Sequence, residues 1–230
     1  MAIISLSGRI GSGKDTAAAI IQQIAPYHNW QVKKFAGKLK QIASILTGIP
    51  VEKFESQDFK KTFLSSEWDT VKLVGSGLRQ DGFDGVKTPV INSMSVRDLL
   101  QKLGTEAIRD GLHKDVWVNA LFSEYRPLND ESRVSMGNVL DYSNCKFPNW
   151  IITDTRFENE LHAVKARQGI TIKIVCDSNN EIVNQHSSEN ALDHVKDWDY
   201  IINNVGAVEE LKQKLYEILL KESLIQSPVL

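Results

Sequence analysis

Ile3-Ile4-Ser5-Leu6-Ser7-Gly8-Arg9-Ile10-Gly11-Ser12-Gly13-Lys14-Asp15-Thr16 is the stretch on which the fold turns. Ile3-Ile4-Ser5-Leu6 is a short β-branched run that reads as a strand. The glycine-rich turn comes next, and then Lys14 to Ile24, with Ala17, Ile20, Ile21 and Ile24 on one helical face. Gly8 through Lys14 fits the spacing G-x-x-x-x-G-K of a phosphate-binding loop. Glycines let the backbone wind until successive N–H groups converge on an anion. A helix that starts at Lys14 adds the positive end of its dipole, and the lysine reaches the β and γ oxygens.

Asp15, where the simplest form of the motif has Ser or Thr, displaces the hydroxyl by one residue to Thr16. Thr16 is the candidate hydroxyl for phosphate or Mg²⁺. Asp15 admits two readings: a partner for a metal-held water or an acceptor phosphate, or a first-turn acid favoured by the helix dipole.

Outward from this stretch, strands and helices alternate. Trp30 to Phe35 reads as a strand and about Lys38 to Leu46 as a helix closed by Thr47-Gly48 and Pro50. Residues 50 to 94 give weak element signals, and Ser95 opens a helix whose apolar stripe is Val96, Leu99, Leu100, Leu103 and Ala107. A helix over about Val116 to Glu124 and a polar loop from Pro127 to Pro148 lead to the strand Trp150-Ile151-Ile152-Thr153-Asp154. A helix from about Glu158 to Gln168, strands Thr171 to Cys176 and Tyr200 to Asn203, and a helix from about Val208 to Leu220 complete the pattern. This alternation predicts an α/β fold, a mostly parallel sheet flanked by helices, with ligands beyond the C-terminal strand ends.

The chain has 230 residues, 42% hydrophobic and 24% charged, with a formal net charge of -2. Enough chain is present for one sizeable core, and a single domain over 1–230 is expected. The near-neutral balance argues against a nucleic acid polymer as partner but leaves room for a local basic pocket. Cys145 and Cys176 have no zinc-ligand spacing and read as thiols in a reducing compartment. No apolar run approaches a membrane span and no signal peptide is read, so the expectation is a cytoplasmic protein without membrane contact.

Further along, Arg97, Gln101 and Thr105 fall at i, i+4 and i+8 of the helix opened by Ser95. An Arg, an amide and a hydroxyl on one stripe suit a phosphate and a base edge, and equally a solvated flank. Asp154 ends an apolar strand, where a carboxylate could serve Mg²⁺ through water or the acceptor; the other reading is an N-cap for the following helix. No Asn-Lys-x-Asp base-reading motif of GTPases occurs.

The sequence resembles the phage deoxynucleoside monophosphate kinases. The resemblance rests on Gly11-Ser12-Gly13-Lys14-Asp15-Thr16, Ala36-Gly37 with Lys40, Val96-Arg97 through Leu103-Gly104-Thr105, and Trp117-Val118. It continues through Asp154-Thr155-Arg156 with Glu160, His186-x-Ser188-Glu189, and Asn203 or Asn204 with Leu211. The order is the family's own, from about Ile3 to Leu215. Ala18 to Asn29 and Val51 to Ser93 match poorly.

The resemblance implies a P-loop nucleoside triphosphate hydrolase fold, ATP and Mg²⁺ as cofactors, a deoxynucleoside monophosphate acceptor and a homodimer. Within the single domain it implies an acceptor-binding region over about 36–149 and a lid-like segment over about 177–197. Lys14, Asp154 and Arg156 are the catalytic candidates, with Gly11, Ser12, Gly13, Asp15, Thr16 and Asn203 around ATP and Thr16 and Asp15 toward the metal. Lys40, Arg97, Gln101, Gly104, Thr105, Trp117, Glu160 and Glu189 are the acceptor candidates; Trp117 reads equally well as core. The lid-like stretch has no arginine, which leaves Arg126 or Arg156 to supply charge. A dephospho-coenzyme-A or phosphomevalonate kinase type, and a non-catalytic ATP-binding module, stay open as alternatives.

Overall fold

Strand β1 (Ile3–Ser7) is buried at all five positions, so both of its faces are covered. In a computed structural model that describes residues 2–75, 87–128, 133–134, 140–141, 145–176 and 191–226, β1 is the middle strand of a five-stranded sheet. Its companions are β2 (Gln31–Lys33), β7 (Trp150–Ile152), β8 (Ile170–Val175) and β9 (Tyr200–Asn203), in the order β2-β7-β1-β8-β9. Every pairing is parallel, with Ile4 opposite Ile151 on one side and Ile170 on the other. The chain leaves β1 toward one edge and later fills the other, which puts the turn after β1 at the point where the strand order reverses.

The side chains of β1 alternate between the faces. Ile4 and Leu6 join Ile151, Ile172, Ile174 and Ile202 in a core with helices α1 (Lys14–Ile24) and α6 (Val208–Lys221). α1 contributes Ala17, Ala18, Ile20 and Ile21, and α6 contributes Leu211, Leu215, Ile218 and Leu219. Each buried Leu or Ile adds about 1.5–3 kcal/mol.

The opposite face carries Trp150 and α5 (Glu158–Lys165), with Gly169 so close to α5 that a Cβ there would meet Val164 Cγ1 at 2.6 Å. Phe122, from α4 (Val116–Phe122), stacks on Trp150 at 6.0 Å, and the Arg167 guanidinium lies 3.9 Å from the Phe122 ring centroid. Burial there pulls Arg167 below its usual range and pushes Tyr125 up. A two-residue ladder, β5 (Arg133–Val134) with β6 (Leu140–Asp141), lies within the loop that follows.

The described chain forms two compact units, one from Met1–Gly37 with Asp115–Leu230 and one from Lys38–Lys114. The second holds most of α2 (Gly37–Thr47), the antiparallel hairpin β3 (Thr70–Gly75) with β4 (Lys87–Asn92), and α3 (Val96–Gln101). Its core is Ala43, Phe54, Val96 and Leu99. Ser95 caps α3 reciprocally: Ser95 Oγ accepts the Asp98 N–H at 3.1 Å, and the Asp98 carboxylate accepts the Ser95 N–H at 3.1 Å.

Several elements differ from the sequence expectation, three of them as follows. The hairpin occupies the region read as irregular, because Pro89 and the loop residues around it mask its alternation. β2 stops at Lys33 instead of Phe35, since the next free amides turn to a side chain described below. α5 ends at Lys165, where Gln168 takes φ 57 and the Gly169 N–H returns to the Val164 carbonyl.

Candidate active site

The turn from β1 into α1 has the backbone the glycines were expected to permit. Gly11 has φ 80 and Gly13 φ 98, the left-handed region that other residues avoid. Gly8, at φ 156, is closed by space as well: a Cβ there would sit 2.3 Å from the Ile174 carbonyl oxygen. The first backbone bond of α1 runs from the Ala17 N–H to the Gly13 oxygen at 2.8 Å, and no side chain caps the helix. The first-turn N–H groups therefore have no intrahelical acceptor and point along the axis toward the turn. An uncapped, glycine-wound helix start of this kind fits a phosphate group.

Lys14 Nζ donates to the carbonyl oxygens of Gly8 and Arg9, both at 2.7 Å, and so lies across the loop. Ser12 is 1% exposed, and its hydroxyl has no hydrogen-bond partner among the described residues. Asp15 is 80% exposed, with Lys34 Nζ at 3.9 Å. Thr16 is exposed in the same first turn. Hard oxygens from Asp15 and Thr16 beside a phosphate suit Mg²⁺, which keeps much of its water and takes few protein ligands. Among the described residues no group of three or more His, Cys, Asp or Glu could hold a metal by itself.

Asn204, just past β9, supports this loop: its Nδ2 donates to the Ser12 carbonyl at 2.9 Å. Asn203, the other residue of that pair, is exposed at the strand end, and its carbonyl accepts from Lys214 Nζ at 2.7 Å. Arg9 pairs with Asp193 at 3.0 Å, a contact between the loop and the residues preceding β9 that the motif gives no hint of.

After β7, Asp154 places one carboxylate oxygen on the Phe35 N–H at 2.7 Å and the other on the Ala36 N–H at 2.9 Å. This grip is what ends β2 early. Asp154 does not cap α5; that helix begins after Phe157. The Glu160 carboxylate, 3% exposed, accepts from the Arg156 N–H at 2.8 Å and the Phe157 N–H at 3.1 Å. Glu160 thus closes the helix start, and Arg156 lies in the turn between the two carboxylates. Thr155, between them in sequence, shares a 2.7 Å hydrogen bond with Ser5 of β1. Trp117 is 7% exposed on α4, a core position in its own unit.

The remaining acceptor candidates belong to the Lys38–Lys114 unit. Lys40 is 7% exposed and its Nζ meets the Glu55 carboxylate at 2.6 Å. An Arg97 guanidinium nitrogen reaches Gln57 Oε1 at 3.5 Å. Gly104 is a close-packing position: a Cβ there would lie 2.7 Å from Leu39 Cδ2. Gln101 ends α3, and the chain continues as a π-helix over Lys102–Asp110. Thr105 lies in that wider turn, so the α-helical spacing that put it on one stripe with Arg97 and Gln101 does not hold past Gln101. Glu189, with His186 and Ser188 and most of the lid-like segment, lies outside the described residues.

Among the described residues no helix is long and apolar enough to cross a membrane. The sequence model of the deoxynucleotide monophosphate kinase family matches residues 78–215, more than half of the chain, though not the phosphate loop. A deoxynucleotide monophosphate kinase of Escherichia phage RB69 is 30% identical over 128 residues, covering 56% of this chain and 46% of the relative. The enzyme of that name from Enterobacteria phage T4 is 31% identical over 136 residues, 57% of this chain and 50% of the relative. The match thus spans about half the length of these phage relatives. A chain of Acanthamoeba polyphaga mimivirus, provisionally given the same name, is 27% identical over 224 residues and 94% of both chains, a span that takes in most of the sequence. Fold and sequence agree, and the chain belongs to the deoxynucleotide monophosphate kinase family.

Proposed function

We propose that this protein transfers the γ-phosphoryl group of ATP to a deoxynucleoside monophosphate, giving a deoxynucleoside diphosphate and ADP. The observation that carries the reading is the uncapped start of α1 behind a loop wound by Gly11 and Gly13 at the strand-order reversal, in a member of this family. A phosphate oxygen of the acceptor attacks the γ-phosphorus, the bond to the β–γ bridging oxygen breaks, and ADP leaves. The protein supplies position and charge for this exchange.

The first-turn N–H groups of α1 hold the donor phosphates. Lys14 exchanges the Gly8 and Arg9 carbonyls for β and γ oxygens. Thr16 and Asp15 would hold Mg²⁺, which would supply positive charge against the donor phosphates. Arg156 offsets charge on the transferring group, and Asp154 acts through the Phe35-Ala36 loop that it holds. Asn204 steadies the loop from below, and Asn203 lies toward the adenine. Arg97 takes the acceptor phosphate; Lys40, Gln101, Gly104, Thr105, Trp117, Glu160 and Glu189 are assigned to the acceptor side, with Gly104 and Glu160 acting by packing and capping. A homodimer working in the host cytoplasm completes the reading.

The test is ADP release from ATP and Mg²⁺ with each common nucleoside monophosphate, deoxy and ribo, added singly. Stimulation by one or more deoxynucleotides is expected and would name the bases accepted. ATP binding without stimulation by any of them would overturn the assignment in favour of another small-molecule kinase or a binding module.

A further inference from the structure

Asp154-Thr155-Arg156 is held at each of its residues. Asp154 binds the amides of Phe35 and Ala36, and the Arg156 N–H is taken by Glu160. Thr155, 2% exposed, is bonded through its hydroxyl to Ser5, which is 0% exposed and 150 positions earlier in the chain. Ser5 lies in β1, the strand that runs directly into Gly8 and the phosphate loop. The outer bonds tie the tripeptide to the loop after β2 and to α5; the hydroxyl pair ties its centre to β1, the strand that leads into the loop before Lys14.

A hydroxyl on a doubly covered strand is costly unless it is bonded, and an apolar side chain would suit the site by burial alone. Two hydroxyls facing each other exchange that freedom for a short directional contact. We propose that Ser5 and Thr155 are positioning residues: their contact sets the Arg156 turn against the phosphate loop. The inference rests on the kinase reading above. Neither residue touches substrate in this scheme; they act through Arg156 and the loop, where a displacement of about 1 Å can cost on the order of 10² in rate.

Stability and rate separate under paired substitution. Ser5→Ala leaves the Thr155 hydroxyl buried without its partner and is expected to lower the melting temperature; Ser5→Ala with Thr155→Val removes both polar groups and recovers most of that loss. If the pair positions the turn, kcat stays about tenfold or more below wild type in the recovered double variant, with the KM for ATP within about twofold. A double variant that regains kcat along with its melting temperature would overturn the inference and leave the kinase reading intact. A wild-type protein that phosphorylates no deoxynucleoside monophosphate in the parallel assay would overturn the kinase reading, and this inference with it.

Discussion

Asn204 Nδ2 donates to the Ser12 carbonyl at 2.9 Å, and the same nitrogen would lie only 2.6 Å from a Cβ on Gly13. One side chain just beyond the end of β9 thus braces the phosphate loop and crowds any larger residue at Gly13. Asn204→Ala should weaken ATP binding by roughly tenfold or less, the worth of about 1 kcal/mol for one net hydrogen bond. Titration calorimetry with ATP checks this, and the acceptor KM should stay near wild type.

Lys14→Ala should lower kcat by at least about 10²-fold, since on the proposed reading it removes charge from beside the transferring phosphates. Its partly exposed bonds to Gly8 and Arg9 give it little share in the core, so the melting curve should move little. A large loss of stability instead would mark Lys14 as a structural brace of the loop.

Arg97→Ala should raise the acceptor KM about tenfold or more while affecting ATP binding little, as loss of a charge-assisted phosphate contact does. Steady-state kinetics at saturating ATP read this directly. Unchanged acceptor kinetics would remove Arg97 from the site.

Gly104→Ala brings a methyl group to 2.7 Å from Leu39 Cδ2. Leu39 can turn aside, so the expected cost sits near the low end of about 1–3 kcal/mol for overpacking. Chemical denaturation measures it, and a neutral result would mean that the contact relaxes freely.

Tyr200 is pushed up to about 12, by burial first and then by the Glu222 carboxylate that accepts its hydrogen. The folded state therefore favours the protonated phenol. Its contribution is complete below the unfolded value near pH 10 and is lost as pH rises through about 12. The melting temperature gap between wild type and Tyr200→Phe should shrink from pH 9 to pH 12; a constant gap would contradict it.

The elements with strong local signals were legible from sequence. Lys14–Ile24 and Tyr200–Asn203 are found at the predicted bounds, because helical and strand periodicities are written in neighbouring residues. The hairpin β3–β4 was not legible, since Val71 and Leu73 are 63% and 65% exposed and the partner strand runs through Pro89, a residue that argues against a strand in sequence. The phosphate loop was legible as a motif. The contacts around it were not: Ser12 with Asn204, Ser5 with Thr155 and Phe35 with Asp154 lie 192, 150 and 119 positions apart. Only the order of the strands brings such residues together, and no local window contains it. The π-helix over Lys102–Asp110 marks a different limit, because an α-helical period was carried past the point where it holds.

β1 finds both of its neighbours late, at Trp150–Ile152 and Ile170–Val175. At a synthesis rate of about 5–20 residues per second, β1 waits on the order of ten seconds or more for its partner at Trp150–Ile152. During that interval Ile3, Ile4 and Leu6 are apolar and unpaired, while the contiguous stretch Lys38–Lys114 emerges whole. Production of this protein is therefore exposed to aggregation through β1 while it waits, and slowing translation would lengthen that exposure.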